Sequence, residues 1–389
     1  MVKGECPENF LERTKVYYFM GDVEKLLEKK VTWLELFYDL LFVASVAVAT
    51  HVLLHVEDGH IHTIYLFKFV LIFVPIWWAW VGQTIFVNRF GQDLFHQRLF
   101  LILQMFFALV MTSSLSVDFD SYYLPFLIGY IGLRAVTAIQ YLVVQRIEEG
   151  ARKKAALFLG KYFWVGIIVS LFSLFFFDSW IRYLVLYLGI LIDMIIPILG
   201  RRYLVKVPPN TAHLLERFGL FTIILFGESL VSTLAVIQPT QGDWNSIGLA
   251  VMAFLLIIAM WWQYFDNVEK KVDKSIQTAG QAIIYGHLFI LMSLSAIAAS
   301  IRLMVLDEVG YFFNLFFIFG AVLLYFFSTT FVFHQYRHTH HRLKIYHLGL
   351  FLGILGFFFI FNMLVPIPYI IIVAELTLFF IIYAKLTTT

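Results

Sequence analysis

The sequence predicts an all-α, polytopic transmembrane bundle of about 12 spans, arranged as two parallel six-helix repeats. Three observations carry this. Of 389 residues, 61% are hydrophobic and only 14% charged, with a mean hydropathy of +0.84; soluble domains carry about 25% charged residues. The apolar residues run in unbroken stretches of the roughly 20 residues that a helix needs to cross a bilayer, and the lack of alternation excludes a barrel. Finally, the positive charges are distributed with a strong asymmetry.

The stretches bounded by charge, Pro or Gly give spans at about 32–54, 63–87, 97–117, 122–146, 161–178, 180–199, 214–237, 246–265, 277–304, 311–333, 346–364 and 367–386. Only "FDSWIR" separates the fifth from the sixth. With the N-terminus inside, 24 of the 28 Lys and Arg fall in inner segments. The outer edges hold Arg182 and Arg302, and Lys68 and Arg134 lie within spans. Short inner loops collect Lys and Arg, and one miscounted span would invert everything after it. Both termini are therefore expected on the cytoplasmic side of the membrane.

Residues 1–31 precede the first span. They are mixed in charge and lack an apolar core, so no cleavable signal peptide is expected, and span 1 serves as its own insertion signal. The segment has the makings of an amphipathic helix at the cytoplasmic surface. The lone Cys6 gives no disulfide framework. No zinc-type spacing, P-loop or dinucleotide fingerprint is present, so no metal, cofactor or ATP-driven work in cis is expected. Membrane lipids are the natural neighbours, no nucleic-acid partner is expected, and a homo-oligomer is compatible with the sequence.

The chain reads as duplicated. "WWAWVGQTIFVNR" from Trp77 is similar to "WWQYFDNVEKK" from Trp261, Glu35 of span 1 corresponds to Glu216 at span 7, and "HQRLFLIL" from His96 corresponds to "YGHLFILM" around His287. The matches keep their order and nearly constant spacing. Each half, 32–200 and 201–389, would hold six spans, and an even number makes the repeats parallel.

Ionisable residues inside a bilayer cost at least ~2.5–3.5 kcal/mol each near its centre, so each one calls for a partner or a function. Glu35 and Asp39 lie one helical turn apart on one face of span 1, close to its start, where carboxylates suit the positive helix end. They are either a brace with a partner on another helix or the entrance of a vestibule that gathers cations, one raising the proton affinity of the other. Glu228, in "FTIILFGESLVSTLAV", lies past the middle of span 7, with Gly227 before it and Ser229 and Ser232 after. A carboxylate among small polar groups resembles a proton or cation site, and it must be protonated or paired.

Asp193 of span 6 and Arg134 of span 4 are opposite in sign at similar depth and are natural partners. Glu375 of span 12 is the second deep carboxylate of the C-terminal half. His287 is a helix-contact residue or a relay partner. Lys68 is an anchor that snorkels to the outer edge. His334, His338, His340, His341 and His347 belong to a basic, solvated loop beside acidic headgroups. The tryptophans Trp77, Trp78, Trp80, Trp261 and Trp262 read as packing or interfacial residues, and their recurrence in both halves suggests a paired inner wall.

Several of these stretches, "WLELFYDLLFV", "ERFGLFTIILFGES", "YGHLFI" and "WWQYFD", resemble the low-temperature-requirement A family of bacterial membrane proteins, from residue 31 to at least 305. The acidic pair of the pattern matches Glu35 and Asp39, and its later Glu pair matches Glu216 and Glu228. The resemblance implies a bacterial cytoplasmic-membrane protein linked to growth in the cold, and it supplies neither a substrate nor a catalytic residue.

Together these readings point to a secondary transporter or ion pathway for a proton, a monovalent cation or a small solute. Glu228, Ser229 and Ser232 form its mid-membrane site, and Glu35 and Asp39 guard the cytoplasmic entrance. The alternatives are a lipid-handling protein or membrane enzyme using Glu35 and Asp39 on polar headgroups, or a receptor or scaffold whose buried carboxylates are all paired.

Overall fold

The structure is a computed structural model that describes residues 29–92, 94–177, 179–236, 244–276, 278–337 and 343–386; the side chains at 232, 233, 235, 236, 245 and 246 also lie outside the described set. The anticipated N-terminal surface helix, most of the histidine loop (His338, His340, His341) and the side chain of Ser232 therefore fall outside the described residues. What is described is helical, with no strand among the described residues beyond two isolated bridges.

Twelve long helices follow one another: α1 Trp33–His51, α2 Thr63–Phe90, α3 Phe95–Ser113, α4 Tyr123–Val144, α5 Gly150–Phe172, α6 Ile181–Leu199, α7 Thr211–Val236, α8 Trp244–Asp266, α9 Gln281–Leu306, α10 Tyr311–His334, α11 Ile345–Leu364 and α12 Tyr369–Leu386. A single-turn helix, Arg201–Leu204, links α6 to α7. Eleven of the described helices are long and apolar enough to cross a membrane. The twelfth, α7, is 26 residues long and carries several of the undescribed side chains.

The largest difference from the sequence reading is α5, which starts at Gly150 rather than near 161. The run "ARKKAALFLG" has strong helix formers at nearly every position, so the helix continues past its charged residues. Lys161 consequently sits within α5, exposed on its surface. The start of α1 shows local causation in detail. Thr32 Oγ1 accepts from the Glu35 backbone N–H at 3.3 Å while Glu35 Oε1 accepts from the Thr32 N–H at 3.3 Å, a reciprocal capping box.

Connections alternate between two ends of the bundle, and side chains tie the loops of each end together. At the end where α1 begins, Lys29 bonds the last turn of α2, Arg152 donates to Arg89 O, Asn88 bonds Asn210, and Thr211 donates to Ile276 O. This end carries most of the Lys and Arg and is called the basic face below. At the opposite end Gly310 N–H donates to Gly59 O at 2.7 Å. There Lys68 Nζ donates to Val117 O at 2.8 Å, the anchoring the sequence suggested.

Helix pairs α1–α2, α1–α3, α3–α4, α4–α5 and α5–α6 pack together in the first half, and α7–α8, α7–α9, α9–α10, α10–α11 and α11–α12 in the second. The halves meet where α7 and α9 pack against α1 and α2. The tryptophans break the likeness between halves: Trp77, Trp78 and Trp80 are buried, whereas Trp261 and Trp262 are about 40% exposed on the outer surface. The paired inner wall expected from their recurrence is therefore absent, because the second pair turns to the bundle exterior.

Candidate functional site

The largest concentration of buried charge lies on the seam between the halves, at the basic face. Arg217, in the second turn of α7, is fully buried and reaches across to α1. Its Nε donates to Asp39 Oδ2 at 3.0 Å, its Nη2 donates to Asp39 Oδ1 at 2.5 Å, and its Nη1 donates to Glu35 Oε2. The planar fork of a guanidinium is what allows one side chain to serve two carboxylates at once. From α2, Trp80 Nε1 donates to Asp39 Oδ1 at 2.6 Å, and Thr84 Oγ1 lies 3.4 Å from Arg217 Nη2. Three helices thus converge on one charge cluster, with Glu35 at 3% exposure and Asp39 at 0%.

His213, one turn before Arg217, faces Glu35 Oε2 at 3.6 Å, and its Nδ1 lies 3.1 Å from Asn88 Nδ2. The amide can only donate there, so Nδ1 accepts and the ring proton of the neutral imidazole sits on Nε2, toward Glu35. With both carboxylates ionised, the cluster carries one more negative charge than Arg217 neutralises. Lys29 is the nearest further cation. Its Nζ donates to Val87 O, Asn88 O at 3.2 Å and Gly91 O at 3.1 Å, the carbonyls that end α2, where a cation suits the helix dipole.

Burial pushes the Lys29 ammonium down to about 8; Glu35 opposes the shift, and Arg152 and Arg217 reinforce it. Undocked, the lysine titrates near 10.5. Between these values the undocked chain binds more protons, so docking of this segment strengthens as pH rises from about 8 toward 10.5 and is weakest below 8. NMR of the Lys29 Nζ, assigned by Lys29→Arg, is expected to give a midpoint near 8. A midpoint near 10.5 would show that the ammonium is not docked.

Two open clefts flank the cluster on the basic face. One, of about 190 Å³, is lined by Lys29, Glu35, Gln83 and Arg98; the other, of about 450 Å³, by Lys30, His213, Glu216 and Lys274. At the opposite end of the bundle, where α1 and α9 end, a third cleft, of about 710 Å³, is lined by His51, His55, Arg302 and Glu308. Glu228 lies past the middle of α7 toward this end, half-buried, and its charge and that of Arg302 both act on His51. Among the described residues nothing lies within 4 Å of where a side chain on Gly227 would project. Ser229 is buried and its hydroxyl donates back to Leu225 O at 2.8 Å.

The second buried ion pair joins α4 to α6. Arg134 Nε lies 2.5 Å from Asp193 Oδ2, and both residues are 1% exposed. Trp78 Nε1 donates to the same oxygen at 3.0 Å. The Arg134 guanidinium stacks over Phe163, 4.7 Å from its ring centre, and fits because Gly82 opposite has no side chain: a Cβ there would stand 2.1 Å from Nη1. One short run of α2, "WWAWVGQT", therefore supports both ion pairs, Trp78 on Asp193 and Trp80 on Asp39. Between them Gln104 accepts from Tyr38 OH at 3.0 Å and donates to Gln83 Oε1 at 2.9 Å and Thr137 Oγ1 at 3.1 Å.

The remaining candidates are dispersed. His287 is buried, its Nδ1 2.7 Å from Ile283 O and its Nε2 2.8 Å from Tyr264 OH. Both nitrogens are satisfied in a neutral ring, the state of a helix-contact histidine. Glu375 is half-buried and accepts from Asn362 Nδ2 at 2.6 Å. Among the described residues no group of three or more His, Cys, Asp or Glu is arranged to hold a metal ion. Sequence reasoning missed Arg217 as the partner of Glu35 and Asp39 by counting it with the loop charges, though "ERFGLF" runs without a break into the apolar helix. It also missed Asp266 at the end of α8, 3% exposed and 2.7 Å from both Lys270 Nζ and Lys271 Nζ.

A bundle of this span number, with ion pairs sealed between its helices, is a multi-pass membrane protein. A family model described as bacterial low temperature requirement A protein (LtrA) matches residues 30–384. The chain belongs to that family. It is also 27% identical over 281 residues to an uncharacterized protein of Rhizobium meliloti (strain 1021), a match covering 67% of this chain and 66% of the relative, just under two thirds of that protein's length. No solved structure matches.

Proposed function

We propose that the chain is a secondary carrier or ion pathway of the bacterial cytoplasmic membrane, with the basic face cytoplasmic, working at the α1–α7 seam between two six-helix halves. The observation that carries this reading is the polarity of that seam. Titratable groups stand toward both of its ends: Glu35 and His213 line clefts at one, with Asp39 and Arg217 beside them, and His51 lines the cleft at the other, where the charge of Glu228 acts on it. Between them the buried side chains are mainly apolar, among them Phe42, Val43, Val46, Phe221 and Leu225. Two wet ends separated by a dry middle is the arrangement expected of a carrier closed on both sides.

In this reading the cluster around Arg217 locks the cytoplasmic end, and Glu228 with Ser229 is the loading site for a proton or monovalent cation at the other. The excess negative charge of the cluster gives a proton or cation a way to bias the lock, since neutralising either carboxylate weakens what Arg217 holds. An acid–base enzyme is disfavoured because Glu35 and Asp39 are both saturated by Arg217, Trp80 and Thr32. A receptor or scaffold is favoured by one observation, the contact that Glu35, Asp39 and Asp193 each make with a buried guanidinium.

Flux in proteoliposomes separates the two. With an internal pH dye and imposed K⁺ or Na⁺ gradients, wild type is expected to carry flux that Glu228→Gln reduces by tenfold or more, about 1.4 kcal/mol or more in effective barrier. Unchanged flux in Glu228→Gln removes Glu228 as the site. No flux with either ion in wild type favours the receptor reading.

A further inference from the structure

A small, largely enclosed cavity lies between the halves, away from the α1–α7 seam. Trp78, Gly82 and Arg89 of α2, Tyr141 of α4, and Gln281 and Tyr285 of α9 form much of its wall. Most of that lining is apolar or aromatic, which makes Arg89 conspicuous. Arg89 is only 7% exposed, and its Nε has no hydrogen-bond partner among the described residues. Its Nη2 donates to Ala279 O at 3.1 Å. Among the described residues no Asp or Glu forms an ion pair with it, in contrast to Arg134 and Arg217. A guanidinium left in such surroundings without a counter-charge is costly.

An independent feature points into the same space. Ala279, Gln281 and Ile284, at the start of the 26-residue helix α9, also line the cavity. The residue before the helix, Gly280, sits at φ +74° and has no side chain with which to cap it. The first intrahelical bond is Ile284 N–H to Gly280 O, so the three N–H groups ahead of it lack intrahelical acceptors. An uncapped helix start beside an unneutralised guanidinium is a site for negative charge, each feature supplying part of the compensation.

We infer that this cavity is a buried binding site for one small monovalent anion of chloride size, held by Arg89 and the N-terminus of α9. Size and charge both argue for that class. The free space, about 30 Å³, accommodates a single small ion or about two waters. One guanidinium and about half a charge from the helix end call for an anion and more than offset a single negative charge, and the small free space is what excludes a larger, divalent oxyanion. The ion joins α2 of the first half to α9 of the second, so its role is to fasten the halves together.

The test reads stability and density rather than flux, so it stands or falls apart from the carrier reading. Purified protein in detergent is melted in sodium gluconate replaced stepwise by sodium chloride at constant ionic strength. A saturable rise in Tm is expected for wild type and for the exposed-surface control Arg202→Gln, with the rise lost in Arg89→Gln. No saturable rise in wild type, or the same rise in Arg89→Gln, would overturn the assignment. Sodium sulfate is the third arm, and a rise equal to that with chloride would overturn the size and charge class. Should Arg89→Gln fail to fold, wild-type crystals grown in bromide decide the matter. An anomalous peak between Arg89 and the first turn of α9 is expected, and featureless or water-only density there overturns the site.

Discussion

Arg217→Gln is expected to be the most damaging single substitution in the chain. It removes the one guanidinium that, among the described residues, serves Glu35 and Asp39, and strands two carboxylates that are 3% and 0% exposed. Stripping one partner from a buried ion pair costs about 3–5 kcal/mol, because the remaining charge stays desolvated; here two are stranded, so the loss falls at or above the top of that range. The measurement is the yield of monodisperse protein and its Tm in detergent. Arg217→Lys should rescue only part of the loss, since a point charge cannot span two carboxylates as a fork does. Adding Glu35→Gln and Asp39→Asn to Arg217→Gln should recover most of it. A single mutant as stable as wild type would show that the cluster does not hold α1 to α7.

The second large effect is expected at Arg134. Arg134→Met leaves Asp193 with Trp78 Nε1 as its remaining donor, at 1% exposure, and should cost about 3–5 kcal/mol by the same argument. The double mutant Arg134→Met/Asp193→Leu should regain most of that stability, because apolar replacement of both members of a buried pair is often close to neutral. A double-mutant cycle on Tm measures the coupling directly. Additive losses, with no coupling between the two positions, would mean that the short Arg134–Asp193 contact contributes nothing to stability. Because Gly82 makes room for this guanidinium, Gly82→Ala should mimic a weaker version of the same lesion.

The comparison between sequence and structure divides along the range of the interactions. Helix positions were legible because each is written locally: an unbroken apolar run, a bounding charge, a Pro or Gly. Eleven of the twelve expected spans fall within a few residues of a described helix, and α5 departs because helix propensity carried it beyond the apolar run. The pairing of Arg134 with Asp193 was also legible, since two opposite charges at one depth in a bilayer have few other partners. The Arg217 cluster was not legible. Its partners lie 178 and 182 positions away in the chain, and hydropathy counting places any Arg near a helix start in the adjoining loop. Arg89 was obscured in the same way, counted with the basic loops although it is buried beneath them.

The bridge from Arg217 to α1 has a consequence for how the protein is made. Glu35 and Asp39 leave the ribosome with the first span, and Arg217 follows 178 residues after Asp39. At about 5–20 residues per second that is a delay of roughly ten to thirty-five seconds. During that interval the first span carries two acids with no counter-charge, and the side of the helix that will meet α7 has nothing to lean on. The capping box at Thr32 gives Glu35 a provisional hold near the headgroups, while Asp39 has no such hold until its partners arrive. The nascent first half is thus a waiting state, completed only when the second half delivers its arginine, and synthesis that stops after α6 would release an acid-bearing span for quality control to find.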